Sequence, residues 1–392
     1  MLNSPIELLE KLISLPSVNP MGGDVDPAIC LEHRVTQFLC DWSRELGIDP
    51  ILQTVSDQQS NVILLWTNPQ RPDAEIVLLD AHQDTVPVAG MTVEPFLPTI
   101  ENGRMYGRGA CDVKGGMAAM LSAFARIVRE SPTDGPSVMM SCTVDEEATT
   151  TGINRLTESL AAGELPGERP VAAIIAEPTE LDIIVTHRGV VRWKIETSGT
   201  ACHSSTPELG ENAIYRMGHV VTRLEAYAES LPTQKPAHPK CGPSTLSVGR
   251  IGGGSSVNIV PDSCWIEVDR RLIPGETAEE AQAAVIEELK SLPFEVIHHP
   301  PWLTSAPLPD DENGPLAAQL MRCIESVAGD RESIGVAFGT HASRTARIGI
   351  PSVVFGPGNI AQAHTKDEWI DIQQLEQAAE VYYQFCKTFK PA

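Results

Sequence analysis

Short apolar runs without helical spacing recur in the first half of the chain, and each one stops at a polar or charged residue. Three of these runs are residues 76–79, 137–144 and 171–176. Segments with the apolar spacing of helices lie between them, such as GGMAAMLSAFARIV from Gly115. Strands that alternate with helices predict an α/β fold, in which a mostly parallel sheet is covered by helices on both faces.

The pattern changes between residues 182 and 302. In order, the segments predict a strand (183–197), a helix (211–231), two strands (244–251 and 257–272), a helix (277–292) and a strand (294–298). The order β-α-β-β-α-β is that of a ferredoxin-like domain. We therefore predict an inserted α+β domain at residues 182–302, while residues 1–181 and 303–392 form the domain that carries the sheet.

The charge of the chain bears on its partners. It contains 52 acidic and 29 basic residues, which gives a net charge of −23. Such a field repels nucleic acid and anionic membrane surfaces, and it attracts cations. Neither nucleic acid nor a membrane is therefore expected as a partner.

The N-terminal sequence MLNSPIELLEKLISLPSV is interpreted as an amphipathic helix of the mature protein rather than a signal peptide. No apolar run approaches the length of a membrane span. The nine cysteines include no C-x-x-C pair, which favours reduced thiols in a cytoplasm. A cytoplasmic location is therefore predicted.

His82 and Asp84 follow the first apolar run in the sequence IVLLDAHQDTVP. On an extended chain they share one side at the carboxyl end of the strand, where open parallel sheets bind ligands. Asp84 could hold one ring nitrogen of His82 while the other binds a metal. Considered alone, the pair is more simply a polar junction between a strand and a loop.

Further candidate ligands follow other predicted strands or precede a helix. The full set is His82, Asp112, Glu146, Glu147, Glu177 and His364. Singly, these residues have ordinary interpretations: a helix cap for Asp112, a solvated acidic tip, a strand terminator and a loop histidine. Together they place several carboxylates at one edge of a sheet, where they would repel one another unless cations neutralise them.

The types of ligand indicate which cations these are. Imidazole and carboxylate without a cysteine cluster suit zinc, cobalt or manganese, and the number of groups suits two ions bridged by one carboxylate. Glu146 and Glu147 are adjacent and face opposite ways on an extended backbone. One of them can bind metal while the other acts as a general base.

Seven motifs run through nearly the whole chain in a fixed order. They are AHQDTVP (81–87), GRGACDVKGG (107–116), TVDEEATTTG (143–152), AEPTE (176–180), GTACHSSTPELGENAI (199–214), VNIVPD with DRRLIPGE (257–262 and 269–276) and FGPGNIAQAHTKDEW (355–369). In these motifs the chain resembles the co-catalytic zinc peptidase and deacylase family, which includes acetylornithine deacetylase, succinyl-diaminopimelate desuccinylase, aminoacylase and glutamate carboxypeptidase.

The resemblance implies a role for each metal-site residue. His82, Asp112 and Glu177 would bind one metal, and Asp112, Glu147 and His364 the other, so that Asp112 bridges the two ions. Glu146 would be the general base and Asp84 the partner of His82. The peptide bond between Asp112 and Val113 would be cis.

The resemblance also assigns functions to the inserted domain, which matches the family's lid and dimerisation domain. His203 would reach the partner subunit's active site and stabilise the oxyanion. Asn258, Arg271 and the pair Gly339 and Thr340 would bind the substrate's carboxylate. Their ordinary interpretations are a loop histidine, a strand-end turn, a solvated strand charge and a loop.

One position departs from the family's pattern. Many relatives have an aspartate directly after the Gly-Thr pair. In this chain the pair is Gly339 and Thr340, the next residue is His341, and Arg344 lies three residues further on. Substrate preference is expected to differ there.

The predicted activity is metal-dependent hydrolysis of the amide bond of an N-acyl amino acid, in a homodimer. A dipeptidase or carboxypeptidase of the same family is the alternative enzyme. A metal-binding regulatory protein without catalysis is an alternative from another class, and a two-metal phosphoesterase would need more basic groups near the site than this chain offers.

Overall fold

The computed structural model describes residues 2–391, and these residues form two compact units. Unit 1 contains the chain up to Val185, then Asp310–Ile334 and the chain from Thr340 onward. Unit 2 contains Thr186–Pro309 and Gly335–Gly339. The division into domains at residues 182–302 stays a prediction, because compactness alone does not show that each part folds independently.

Helices are found in both units. They are α1 (Pro5–Ile13), α2 (His33–Glu45), α3 (Lys114–Glu130), α4 (Thr151–Ala162), α5 (Ala213–Gln234), α6 (Ala278–Leu289), α7 (Gly314–Ala328), α8 (Ala342–Arg347) and α9 (Ile372–Thr388), with short 3-10 turns at Pro207–Leu209 and Ile360–Gln362. Among residues 2–391, no helix has both the length and the apolar character that a membrane crossing requires.

Strands alternate with these helices. They are β1 (Ile51–Thr54), β2 (Ser60–Trp66), β3 (Ile76–His82), β4 (Thr99–Glu101), β5 (Arg104–Tyr106), β6 (Ser137–Thr143), β7 (Ala172–Ile175), β8 (Ile183–His187), β9 (Gly189–Ser198), β10 (Cys202–His203), β11 (Thr245–Gly253), β12 (Ile259–Val260), β13 (Ser263–Leu272), β14 (Val296–His298), β15 (Leu303–Ser305), β16 (Ser333–Val336), β17 (Ser352–Val354) and β18 (Trp369–Asp371).

The largest sheet has the strand order β1-β2-β6-β3-β7-β17-β8-β16. Its central strands β6, β3, β7 and β17 are parallel neighbours, whereas β1, β2 and β6 pair in antiparallel fashion. Every residue of β3 and β6 is buried, as expected for strands covered on both faces. The predicted α/β fold is therefore confirmed, and its parallel part is the centre of the sheet.

The register of the central strands brings their carboxyl ends to one level. His82 at the end of β3 pairs with Thr143 of β6, and Asp80 pairs with Ile175 of β7. The residues that follow β6 and β7 therefore leave the sheet beside His82. This placement follows from the parallel direction of the strands.

The N-terminal helix α1 forms as predicted. Ser4 and Glu7 make a reciprocal capping box, in which the N–H of Glu7 donates to Ser4 Oγ at 3.2 Å and the N–H of Ser4 donates to Glu7 Oε2 at 3.3 Å. At the other end of α1, the buried Nζ of Lys114 donates to the backbone oxygens of Leu12 and Leu15 at 2.9 and 2.8 Å. Lys114 is the first residue of α3, so this contact joins α1 to the turn that contains Asp112.

The sequence also predicts a helix over residues 26–46, and the start of this helix was predicted wrongly. Helix α2 begins at His33. Asp26 instead forms a local turn, since its carboxylate accepts the N–H of Ala28 at 2.9 Å. Leu31 has a φ of +64°, a left-handed conformation that interrupts a right-handed helix.

Unit 2 contains the order β9, α5, β11, β13, α6 and β14. Its sheet has the strand order β11-β13-β9-β14, and every neighbouring pair is antiparallel. Alternate residues of β13 are buried, so one face of this sheet packs on a core that includes Trp193, Met217 and Val285. The predicted ferredoxin-like arrangement is confirmed.

Gly115, in the first turn of α3, allows a close approach that a larger residue would prevent. A Cβ at this position would lie 2.5 Å from the backbone oxygen of Ala110, and a backbone atom cannot move as freely as the end of a side chain. We expect Gly115→Ala to lower the free energy of unfolding by about 1–3 kcal/mol. The matched control is Gly218→Ala in α5, where a Cβ meets nothing within 4 Å and higher helix propensity should stabilise by about 0.5–1 kcal/mol. Urea unfolding of both variants measures the difference, and equal effects would contradict the steric explanation.

Candidate metal centre

His82 is buried, and both of its ring nitrogens have partners. Nδ1 lies 3.0 Å from the backbone oxygen of Asp84, and Nε2 lies 3.1 Å from Oδ1 of Asp112. The carboxylate of Asp84 is 3.5 Å from Nδ1, so the carbonyl is the closer acceptor. Without a cation, a proton on Nε2 can donate to Asp112. A proton held on Nδ1 by the carbonyl of Asp84 would leave the Nε2 lone pair for a metal ion, as a histidine ligand requires.

The buried carboxylate of Asp84 accepts hydrogen bonds from the segment that follows β6. It accepts the N–H groups of Glu146 and Glu147 at 3.0 and 3.1 Å and the Nδ2 of Asn19 at 2.9 Å. These hydrogen bonds fix the backbone of both glutamates beside the end of β3. Asp84 therefore lies next to His82 and positions two further candidate residues, while its catalytic contribution stays a prediction.

Asp112 lies between two histidines. Its Oδ1 is 3.1 Å from Nε2 of His82, and its Oδ2 is 3.3 Å from Nε2 of His364. The side chain is 9% exposed. The peptide bond that follows Asp112 is cis, as the sequence resemblance implies. One carboxylate thus offers a separate oxygen to each side, which is the geometry of a bridging ligand.

Glu147 and His364 complete the second side of this arrangement. Oε2 of Glu147 lies 3.2 Å from Nε2 of His364. Oε1 of Glu147 is buried and has no hydrogen-bond partner within residues 2–391. Glu146, the neighbouring residue, is half-buried like Glu147, but the contact with His364 is made by Glu147.

Burial and repulsion act on the carboxylates that follow β6 and β7. Burial raises the pKa of Glu146 to about 8, with attraction to His82 opposing the shift and repulsion by Glu147 adding to it. Burial, followed by repulsion from Asp112, also raises the pKa of Glu177 well above its usual value. Both groups therefore resist ionisation within the protein alone, and a nearby cation would favour their charged forms.

The two histidines experience the opposite influence. Hydrogen bonds to Asp112 and Glu147 raise the pKa of His364 to about 10. Burial opposes charging of His82, but its hydrogen bonds to Asp112 and Asp84 outweigh burial and raise its pKa. The negative potential responsible for these shifts is one that attracts cations.

Divalent metal ions fit this arrangement. His82, Asp112 and Glu147 each offer one ligand atom, and these atoms lie within 4.8 Å of one another. A buried carboxylate oxygen without a partner, such as Oε1 of Glu147, costs free energy that a bound cation would recover. The donors are imidazole nitrogens and carboxylate oxygens, which are ligands of zinc, cobalt and manganese.

Residues 78–388 match the peptidase family M20/M25/M40. Curated relatives include acetylornithine deacetylase of Proteus mirabilis, which is 30% identical over 98% of this chain and 96% of its own length. The chain belongs to the peptidase family M20/M25/M40. The acetylornithine deacetylase of Erwinia tasmaniensis is 31% identical over 97% of each chain.

Solved structures agree with the M20 assignment. A metallo-carboxypeptidase of Sulfolobus solfataricus has a TM-score of 0.76 at 17% identity, covering 98% of this chain and 99% of its own. A tripeptidase of Staphylococcus aureus also has a TM-score of 0.76, at 18% identity, covering 98% and 97%. At these identities the likeness shows a shared fold.

Membership of the M20 family confirms the predicted enzyme class. The protein is a metal-dependent hydrolase of amide bonds, and the predicted resemblance to the peptidase and deacylase family is confirmed. The family includes a dinuclear metal-binding peptidase of Bacillus subtilis. The assignment of individual ligands in this chain stays a prediction, which the distances among His82, Asp112, Glu147 and His364 support.

Four of the residues predicted to bind substrate or to act in catalysis belong to unit 2. His203 in β10 pairs with Ile259 of β12, and the N–H of Ser204 donates to the backbone oxygen of Asn258 at 3.0 Å. Unit 2 therefore brings His203 and Asn258 together. Nδ1 of the exposed His203 lies 2.7 Å from Ser205 Oγ.

Arg271 and Gly339 are the other two. The Nε and Nη2 groups of Arg271 donate to the carboxylate of Asp269 at 2.7 and 3.2 Å. Gly339 approaches the backbone oxygen of Arg188, where an added Cβ would lie at 3.4 Å. Two of the three nitrogens of the Arg271 guanidinium group are therefore hydrogen-bonded to Asp269 of the same strand, β13.

Thr340 and His341 begin the last segment of unit 1. Thr340 Oγ1 accepts the N–H of Ala342 at 3.2 Å. Nδ1 of the buried His341 lies 2.9 Å from Oδ2 of Asp80, and its Nε2 has no hydrogen-bond partner among the described residues. The ring is 6.4 Å from that of His82. The residue that departs from the family's pattern therefore pairs with a carboxylate beneath the metal centre.

Several residues of this site were missed by the sequence predictions. They are Asn19, which links Asp84 to Asp145; Asp80, which pairs with His341; and Arg108 and Glu368, which form a buried ion pair at 2.7 Å. Asp80 carried a usable signal, because a charged residue two positions before His82 on the same strand faces the same side. Asn19 carried none, since its partners lie far away in the sequence.

Proposed function

We propose that the protein is a cytoplasmic deacylase that cleaves the amide bond of N-acyl amino acids with two divalent metal ions, most simply zinc. The position of Asp112 between the Nε2 atoms of His82 and His364, at 3.1 and 3.3 Å, is the observation that carries this proposal. The full-length relatives named acetylornithine deacetylase favour an acylated amino acid as the substrate.

The candidate ligands divide into two sets that share Asp112. His82, Asp112 and Glu177 would hold one ion, and Asp112, Glu147 and His364 would hold the other. When bound, the ions supply Lewis acidity, which polarises the substrate carbonyl and makes water more acidic. Cobalt and manganese accept the same donors, so either could replace zinc.

Glu146 is the proposed general base. Its carboxylate takes a proton from the attacking water and later gives it to the nitrogen of the leaving amine. Burial raises its pKa, and bound cations would oppose this shift and keep the carboxylate ionised, so that it can accept a proton. The hydrogen bond from its backbone N–H to Asp84 at 3.0 Å keeps the residue in place during the transfer.

Residues 182–302, most of which belong to unit 2, are the proposed lid and dimerisation domain. Nδ1 of His203 is held by Ser205, which leaves Nε2 available to donate to an oxyanion in the partner subunit's site. Arg271, with Asn258, Gly339 and Thr340, is proposed to bind the substrate's carboxylate. Nη1 of Arg271 is the group that its contacts with Asp269 leave for this purpose.

The second candidate is a dipeptidase or carboxypeptidase activity. It is favoured by the shared fold with a metallo-carboxypeptidase and a tripeptidase. Both activities cleave an amide bond next to a carboxylate, so the same metal centre would serve either one. Only the group on the acyl side distinguishes them.

A hydrolysis panel separates these candidates. It contains N-acetyl, N-succinyl, N-formyl and N-carbamoyl amino acids together with dipeptides, each assayed with zinc, cobalt or manganese. We expect an acylated amino acid to have the highest kcat/KM. A higher value for dipeptides would support the peptidase instead, and metal binding without hydrolysis of any substrate would support a regulatory protein that has lost catalysis.

The proposed dimer predicts complementation between two inactive variants. His203→Ala is expected to lose about 10²- to 10³-fold in kcat, because one oxyanion donor is removed. Mixing it with Glu146→Gln should restore activity, because one site of the heterodimer would contain both intact residues. Activity of the mixture, after subunit exchange confirmed by native mass spectrometry, is the measurement. No recovery in confirmed heterodimers would place His203 in its own subunit's site, and a monomer in light scattering would contradict the dimer.

A further inference from the structure

The carboxylate of Glu368 is buried and accepts four hydrogen bonds. Oε1 accepts the N–H groups of Cys111 and Asp112 at 2.9 and 3.0 Å. Oε2 accepts the N–H of Gly109 at 3.0 Å and Nη1 of Arg108 at 2.7 Å. Both oxygens are therefore occupied by the turn that precedes α3, and neither is left to bind a metal.

The same network joins two further segments of unit 1. Nη2 of Arg108 donates to the backbone oxygen of Pro87 at 3.1 Å, in the turn that follows β3. The backbone oxygen of Glu368 accepts the N–H of Gly107 at 3.1 Å. Glu368 also lies four residues after His364 in the sequence. The segments that carry His82, Asp112 and His364 thus meet at the ion pair of Arg108 and Glu368.

We propose that Glu368 is a positioning residue that fixes Asp112 between His82 and His364 without binding metal itself. The proposal rests on the proposed function, in which these three residues are ligands. Asp112 can offer one oxygen to each histidine only while its backbone is held at a defined position. The hydrogen bond from its own N–H to Glu368 supplies that constraint directly.

The network requires a carboxylate. A glutamine has the same shape, but it has only one acceptor oxygen, and its NH₂ group would face N–H donors from the turn. At least two of the four hydrogen bonds would then be lost, and an unpaired N–H would remain buried. An aspartate would keep the charge but would be one methylene too short to reach all four donors.

Hydrogen exchange of the protein as purified, before and after treatment with a chelator, tests the structural part of the proposal. In Glu368→Gln we expect faster exchange in peptides that cover residues 107–113, with the rest of unit 1 unchanged. Glu380→Gln is the matched control, because it breaks an ion pair with Arg126 at 2.6 Å on the surface. Unchanged exchange at residues 107–113 in Glu368→Gln would overturn the proposal.

Metal affinity tests the functional part. Competition with a chromophoric chelator is expected to show zinc affinity about 10- to 100-fold weaker in Glu368→Gln, as is usual when a group that orients a metal ligand is replaced. Glu380→Gln should bind zinc like the wild type. Faster exchange with wild-type zinc affinity would overturn the positioning role. Wild-type protein that binds no zinc, cobalt or manganese would instead contradict the proposed function itself.

A milder variant keeps the proposal testable if Glu368→Gln does not fold. Arg108→Lys removes the bridge between the carboxylate and Pro87 while leaving the three amide hydrogen bonds in place. We expect a smaller increase in exchange at residues 107–113 and a loss of zinc affinity of a few-fold. Wild-type values for both measurements would overturn the proposal.

Discussion

Replacing Glu146 by glutamine is expected to lower kcat by about 10²- to 10⁴-fold, because the variant has no group that can accept the proton of the attacking water. Glutamine has nearly the same volume as glutamate, and the backbone N–H of residue 146 can still donate to Asp84. The metal content should therefore stay the same. Steady-state kinetics on the best substrate of the hydrolysis panel and elemental analysis of the purified variant provide the two measurements.

The control for this variant is Glu158→Gln on the exposed side of α4, which should leave both measurements unchanged. Two results would contradict the role of Glu146. Retained activity would show that another group accepts the proton. Loss of metal together with activity would show that Glu146 acts as a ligand, and the assignment of Glu146 and Glu147 would then have to be exchanged.

The sequence predicted the strands of the parallel sheet centre because each is a continuous apolar run. Their ends then follow from the topology, since parallel strands present their carboxyl ends at one edge. His82, the pair Glu146 and Glu147, and Glu177 could be placed in this way. His364 a few residues past the last strand and Asp112 in a turn before a helix were further candidates. The role of each residue, including which of the two glutamates binds metal, depended on the motifs that resemble a known family.

Other parts of the structure depend on contacts between distant segments, which local patterns do not encode. The sheet of β18, β5 and β4 consists of strands of three residues each, too short for a period to be recognised. The hydrogen bonds of Glu368 with Cys111 and Asp112 join residues more than 250 positions apart. Buried polar residues of this kind are recognised only after the fold is known, because their partners make their burial acceptable.

Among the variants, Asp112→Asn is expected to have the largest effect on metal binding, because Asp112 lies against both His82 and His364. An asparagine side chain has one oxygen and one NH₂ group, so it can serve as an acceptor on one side only. On the other side, the NH₂ group would point at a histidine Nε2 and at the space for a cation. We expect Asp112→Asn to retain at most one metal ion per chain and to lose nearly all activity.

Thermal stability gives a second and independent measure of the same change. A metal at one hundred times its dissociation constant stabilises a protein by about 2.7 kcal/mol per site. The wild type should therefore unfold at a clearly higher temperature with zinc than with a chelator, and this difference should shrink in Asp112→Asn. The exposed Asp57 offers the control, since Asp57→Asn should preserve the difference. Two ions bound to Asp112→Asn with wild-type affinity would mean that Asp112 does not bridge them, and the shared-ligand geometry inferred from its distances to His82 and His364 would be wrong.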